Sequence, residues 1–179
     1  MSAHEQSRAG ETLLPERFAA WFAGRGWQPR AHQLDLLALA AEGRSALLVA
    51  PTGAGKTLAG FLPTLVELAG PRPKGGTGPV GRAPPPRRSG LHTLYISPLK
   101  ALAVDVARNL LKPVEEMGLV LRIETRTGDT PAARRQRQRS DPPDILLTTP
   151  EQLALLIASP DAPFLFGSLK RVVLDELHA

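Results

Sequence analysis

Residues 50–57 read Ala-Pro-Thr-Gly-Ala-Gly-Lys-Thr and stand between a short apolar run and a stretch of helical periodicity. That spacing suits phosphate. Gly53 and Gly55 let the backbone curl with its N–H groups pointing inward at an anion, and Thr52 and Ala54 complete the cradle. The start of the following helix adds a favourable dipole, Lys56 a cation and Thr57 a hydroxyl for Mg2+. The usual pattern begins with Gly where this chain has Ala50, and a glycine-rich turn ending in a chance Lys-Thr is the competing reading. The second constellation is Arg-Val-Val-Leu-Asp-Glu-Leu-His-Ala at 171–179, an apolar strand ending in two adjacent carboxylates. Asp175 would hold Mg2+ through water there, and Glu176 would position or deprotonate an attacking water. The same residues also read as a strand running into a helix N-cap.

Both constellations need rigid elements behind them. The run at 46–50 is apolar throughout and bounded by Ser45 and Pro51, as a strand buried on both faces would be. Residues 12–24, 30–42 and 55–69 place apolar positions at helical spacing, with Pro63 expected to kink the last of these helices. Further on, the pattern predicts strands at 92–97, 120–125, 145–148 and 171–175, with helices at 99–116 and 150–159. Strands alternating with helices argue for an α/β fold, a doubly wound parallel sheet. Ligands in such sheets gather at the carboxyl ends of the strands.

Composition narrows the class. The chain has 179 residues, 22 Lys+Arg against 17 Asp+Glu, and no Cys. Disulfides, thiolate metal sites and a cysteine nucleophile are therefore excluded. No apolar run approaches the ~20 residues of a membrane crossing, and the N-terminus lacks a signal-peptide core, so a soluble cytosolic chain with no membrane partner is expected. Residues 71–90 carry five basic residues and no acid, with six Pro and five Gly. The excess positive charge belongs to this segment, which reads as a flexible insertion loop with a solvated charge run. The His residues and Asp161 show no metal-ligand spacing, so Mg2+ accompanying a nucleotide is the metal expected.

In order along the chain, APTGAGKT, YISPLKALA, RTGDTP, TTPEQL and DELHA resemble the first motor domain of a DExH-box superfamily 2 helicase. The likeness is closest to the bacterial large helicase-related (Lhr-like) group, and within it to the ligase-associated DNA damage response helicases. It implies a RecA-like domain at 29–179, preceded by an N-terminal extension and helix at 1–28. It implies ATP with Mg2+ as ligand, Lys56, Asp175 and Glu176 as the hydrolytic residues, and His178 as the link from nucleotide site to second motor domain. Gln33 lies where related helicases read adenine through an amide, although Gln28 competes and a solvated helix glutamine is a further reading. Ser97, Pro98 and Lys100 at one turn, Thr127, Gly128 and Asp129 at a second, and Thr149 and Pro150 at a helix start are implied contacts to a nucleic-acid strand. Each of the three is also an ordinary turn or cap. Arg134, Arg135, Arg137 and Arg139 form either a track for that strand or a solvated helix face.

The string ends at Ala179, directly after DELHA, where the family continues into a second motor domain with an arginine finger. The expectation is thus a partial motor, truncated after DELHA and not competent by itself. The parent would be a 3′-to-5′ DNA helicase in repair, acting on single-stranded or partly duplex DNA or an RNA–DNA hybrid, with a link to a DNA ligase. A non-catalytic nucleotide- and nucleic-acid-binding module is the alternative. A phosphate-loop kinase or GTPase fits less well, because no Asn-Lys-x-Asp string is present.

Overall fold

In the computed structural model, residues 13–51, 53–70 and 90–176 are described. Spacing of apolar side chains explains the first helices. In α1 (Glu16–Gly24), Phe18 and Phe22 fall four residues apart and are both buried, as neighbours on one helical face should be. Helix α2 (Ala31–Ala41) buries Leu34, Leu37 and Ala38 in the same way, and α3 (Lys56–Ala69) buries Ala59, Phe61, Leu62, Leu65 and Leu68. Helices α2 and α3 pack on each other. The helical assignment of α3 continues through Pro63. Beyond them come β1 (Thr93–Ile96), α4 (Lys100–Glu116), β2 (Ile123–Arg126), α5 (Ala132–Ser140), β3 (Ile145–Thr148), α6 (Pro150–Ile157), α7 (Ala162–Phe166) and β4 (Arg171–Leu174).

The chain divides into two compact units. The first comprises residues up to Ala69 with Asp105–Val120, and the second Gly70–Val104 with Leu121–Ala179. The second holds a four-stranded sheet in the order β2-β3-β1-β4, and every pairing is parallel. This is the α/β, RecA-like arrangement expected. Leu94 and Leu146 are register partners and form a core with Leu91, Leu156 and Leu165, against which Leu153 of α6 and Phe166 of α7 pack. Alternation along each strand sends Thr93, Tyr95, Ile145 and Leu147 to the opposite face, and these too are buried. A parallel sheet is apolar on both faces for this reason.

The strand expected at 46–50 does not form. Those residues carry no strand assignment, and Leu47 and Val49 are 76% and 87% exposed. A strand exists only through its ladder, and no strand of the described sheet pairs with this run. Strand β2 begins at Ile123 rather than at 120, because the Arg122 N–H is taken by the Asp144 carboxylate at 2.8 Å. Helix α7 is an addition to the predicted set, and α5 is the helix that the helix-face reading of Arg134–Arg139 requires. Residues 1–12, most of the insertion (71–89), Thr52 and 177–179, His178 included, lie outside the described residues. Among the described residues no helix is long and apolar enough to cross a membrane.

Truncating Leu146, fully buried between β1 and the α6–α7 layer, should cost the sheet unit about 2–5 kcal/mol. Leu146→Ala is expected to lower its urea-unfolding midpoint, whereas exposed Leu155→Ala should leave that midpoint near the wild-type value.

Candidate functional site

The phosphate loop belongs to the first unit. Gly53 and Gly55 have φ of 78° and 75°, the left-handed region open to glycine at no steric cost, and α3 begins directly at Lys56. The loop's carbonyls are turned to neighbours. Arg30 Nη1 donates to Gly53 C=O at 3.3 Å, Gln33 Nε2 to Gly55 C=O at 3.4 Å and Lys56 Nζ to Ala50 C=O at 2.9 Å. The first N–H groups of α3 have no intrahelical partner and can meet an anion, whereas the Ala54 N–H donates to Pro51 C=O at 3.2 Å. A neutral carbonyl is a weaker partner for an ammonium than phosphate is, so Lys56 can be drawn to a nucleotide. Thr57 stands one residue into α3, so this donor set fits a nucleotide phosphate chain with Mg2+.

Gln33 is 3% exposed, which removes the solvated-helix reading, while Gln28 is exposed. The Gln33 amide oxygen accepts the Arg30 N–H at 2.9 Å while its nitrogen holds Gly55, so it ties the first turn of α2 to the loop. One N–H and one lone pair of the amide are left for a base.

A cavity of about 310 Å3 in the same unit adjoins Gly55 and Thr57 and is walled by Trp21, Trp27 and Arg25. The Arg25 guanidinium lies 5.1 Å and 4.9 Å from the Trp21 and Trp27 ring centres. It also pairs with Glu116, which accepts the Trp21 indole N–H at 2.8 Å. The sequence reading passed over this group. Trp21, Arg25 and Trp27 cluster in sequence as a signal, but Glu116 is 91 residues from Arg25. Arg25 first, then Trp21, holds the Glu116 carboxyl below its usual range.

In the second unit the sheet gathers the other candidates. Ile96 is in register with both Thr148 and Leu174, and Thr148 with Arg126. Thr127, Thr149, Ser97 and Asp175 are each the next residue, so they form one row at the carboxyl edge, about 14 Å long at ~4.8 Å per strand. Two ladder bonds continue into the row, from Ser97 N–H to Thr148 C=O at 3.1 Å and from Asp175 N–H to Ile96 C=O at 3.0 Å.

Burial sorts what each can present. Ser97 and Thr149 are 0% and 6% exposed, so these turns offer mainly backbone to a ligand. Thr149 occupies the N-cap position of α6 with Pro150 next, but its side chain makes no cap hydrogen bond; it turns to Glu151 and holds that carboxyl below its usual range. Pro98 is half-buried. In the Thr127-Gly128-Asp129 turn, Thr127 N–H donates to Thr130 Oγ1 at 2.9 Å, and exposed Asp129 forms an ion pair with Lys100. The two turns expected to meet nucleic acid are thus joined to each other.

Of the four arginines on α5, Arg137 pairs with Glu124 at 2.7 Å and Arg139 with Asp161, which commits half of that face to structural contacts. Arg126, which sequence did not single out, is 7% exposed, and its Nη1 donates to Arg135 C=O at 3.0 Å. Burial, then Arg135 and Arg139, pushes its pKa down.

At β4 the Asp175 carboxylate accepts Tyr95 O–H at 2.7 Å and the Glu176 N–H at 3.0 Å. Glu176 sits at φ 53°, a left-handed conformation uncommon for a non-glycine residue and often found at functional sites. Burial, then the Asp175 hydrogen bond, raises the Tyr95 phenol above its ordinary value, so the phenol stays a proton donor.

Comparisons with known proteins agree with the fold. The family model described as DEAD/DEAH box helicase matches residues 30–179. The Lhr helicase/uracil glycosylase of Escherichia coli is 41% identical over 182 residues, covering 94% of this chain and 11% of that protein. The structure of Mycobacterium smegmatis helicase Lhr bound to ssDNA and AMP-PNP superposes with a TM-score of 0.70 at 38% identity, over 93% of this chain and 20% of that one. DUF1998 helicase MrfA bound to DNA and AMPPNP gives 0.74 at 32% identity, over 93% and 21%. The chain therefore spans a small part of each of these relatives.

Two tests follow. A Cβ on Gly55 would stand 3.0 Å from Gln33 Nε2, whereas one on Gly53 would meet nothing within 4 Å. Both substitutions carry the left-handed cost of about 1–2 kcal/mol, so Gly55→Ala should weaken nucleotide binding more than Gly53→Ala, measured by fluorescent-nucleotide titration. Because the Glu116 carboxyl is lowered in the folded chain, its contribution is present above the unfolded value near ~4.3 and lost as pH falls through the folded one. The fluorescence difference between wild type and Trp21→Phe should hold steady down to about pH 4.3, change below it, and lose that acid step in Glu116→Gln.

Proposed function

The chain belongs to the DEAD/DEAH box helicase family, and from that premise we propose that it is the ATP-binding part of a nucleic-acid-dependent ATP hydrolase, a DNA helicase moving 3′ to 5′. The observation that carries the reading is the phosphate loop, with two left-handed glycines, a helix starting at Lys56 and an ammonium held by a backbone carbonyl. Backbone N–H groups of Gly53 and Gly55, the Ala54 N–H on leaving Pro51 C=O, and the Lys56 ammonium take the ATP phosphates, with Thr52 completing the loop. Gln33 reads the base with the part of its amide left over. Thr57 and, through water, Asp175 would hold Mg2+, which would supply charge neutralisation at the phosphates when bound. Glu176 orients and deprotonates the attacking water. His178 relays the state of the nucleotide to a second motor domain of the parent protein.

The strand partner is DNA, single-stranded or partly duplex, or an RNA–DNA hybrid. The Lys100 ammonium meets its phosphates, and the turns at Ser97-Pro98, Thr127-Gly128-Asp129 and Thr149-Pro150 flank the strand, with the Ser97 and Thr127 N–H groups already engaged within the fold. The row of strand ends supports this, because it sets these groups side by side over about 14 Å. Lys100 must leave Asp129 to take part. The relatives described above as bound to DNA lend further support. On its motif strings we read the parent as nearest the ligase-associated DNA damage response helicases, a bacterial cytosolic repair enzyme with a functional link to a DNA ligase. By this reading the 179 residues alone do not unwind DNA.

In the full-length protein, single-stranded DNA should stimulate ATP hydrolysis. Lys56→Ala should lower the stimulated rate at least about 100-fold, read in a coupled phosphate-release assay. Undiminished turnover in Lys56→Ala overturns the assignment. Nucleotide binding without any hydrolysis in the wild type would favour the non-catalytic module.

A further inference from the structure

Tyr95 lies in β1, which is paired on both sides, and is 2% exposed. A tyrosine buried this deeply needs a partner for its hydroxyl, whereas phenylalanine would fill the space without that demand. The hydroxyl donates to Asp175 Oδ2 at 2.7 Å. Register explains the reach. Tyr95 stands opposite Val173 in β4, and Asp175, two residues on, shares that face because side chains alternate. A phenol spans this diagonal, and a serine or threonine hydroxyl would not.

The Asp175 main chain is fixed independently, since its N–H donates to Ile96 C=O at 3.0 Å. Its Oδ1 accepts the N–H of the adjacent Glu176, a local contact that turns with the chain. Among the described residues, the phenol reaches the carboxylate from another strand. A carboxylate that acts on a hydrated cation must be held in one orientation to act efficiently.

We propose that Tyr95 is a positioning residue, whose buried hydroxyl locks the Asp175 carboxylate in one rotamer and leaves its remaining lone pairs free for the water shell of Mg2+. This rests on the reading of Asp175 given above and adds a residue to it. Tyr95 does not touch the nucleotide; it acts through Asp175.

The test uses the full-length protein as wild type, Tyr95→Phe, Asp175→Asn and the double variant, with a fluorescent ADP analogue as probe. In EDTA wild type and Tyr95→Phe should bind the analogue alike, because the phosphate loop is intact and no charge is changed, and the double variant should match Asp175→Asn. Added MgCl2 should tighten binding in the wild type, and Tyr95→Phe should lose about tenfold of that gain, the scale of a hydrogen bond to a charged group. In the Asp175→Asn background Tyr95→Phe should change nothing further. The turnover number of Tyr95→Phe should fall while its EDTA affinity stays unchanged.

A full wild-type Mg2+ gain in Tyr95→Phe overturns the proposal, as does an equal loss whether residue 175 is Asp or Asn, which would mean general loosening. If Asp175→Asn keeps the Mg2+ gain, the reading of Asp175 falls together with the proposal. If Asp175→Asn loses it and Tyr95→Phe does not, the proposal alone falls. A second measurement avoids any folding defect of the phenylalanine variant. 3-Fluorotyrosine incorporated at Tyr95 should show a 19F shift on adding Mg2+ with ADP, absent in Asp175→Asn, and no shift in the wild type overturns the proposal.

Discussion

Parallel pairing of β1 with β3 and β4 is the constraint on which the second unit depends. Because Ile96 stands level with Thr148 and Leu174, the chain leaves all these strands at one height. Ser97, Thr149 and Asp175 come out side by side, and Thr127 joins them through β2. A slip of one residue would reverse every side chain. Leu94 and Leu146 would leave the α6–α7 layer, and Tyr95 would point away from Asp175. Core packing and site geometry are therefore fixed by the same register. The buried leucines thereby hold in place the row of polar groups at the strand ends.

The row also shows how burial divides the work among polar residues. Ser97, Thr148 and Thr149 are enclosed, and their hydroxyls serve the fold, as in the Thr148 bond to Arg126 C=O at 2.8 Å. Lys100 and Asp129 are exposed and pair with each other. Exposed pairs of this kind are worth about 0–1 kcal/mol, so the contact yields readily to a stronger anion. Arg126 differs, because its guanidinium is buried beside Arg135 and Arg139 and is depressed by both burial and like charge. In the first unit the phosphate loop obeys a similar logic. Arg30, Gln33 and Lys56 fix the loop through its carbonyls, and the unpaired first N–H groups of α3 face the anion site.

Local pattern made much of this legible. The helical stripes of α1, α2 and α3, the four strands of the sheet and the start of a helix at Lys56 follow from spacing and from glycine's tolerance of positive φ. Thr149 before Pro150 marks a helix start by local chemistry, and the structure has one there. What local pattern could not show was pairing. The apolar run at 46–50 satisfies every sequence criterion for a buried strand and forms none, because ladder bonds require a second strand that composition does not specify. Helix α7 is five residues long, too short for periodicity to reveal.

The sequence by itself determined which residues could do chemistry: two glycines, Lys56 and Thr57 in one loop, and Asp175 with Glu176 at a strand end. Tertiary structure decided what surrounds them. Gln33 meets Gly55 from 22 residues away and Tyr95 meets Asp175 from 80, distances over which neither periodicity nor motif spacing carries information. The Ser97 side chain, at a strand-to-helix turn, is enclosed by packing. Propensities and turn chemistry act over a few residues and can be read in order along the chain, whereas register and burial depend on which distant segments share an edge, and folding alone settles that.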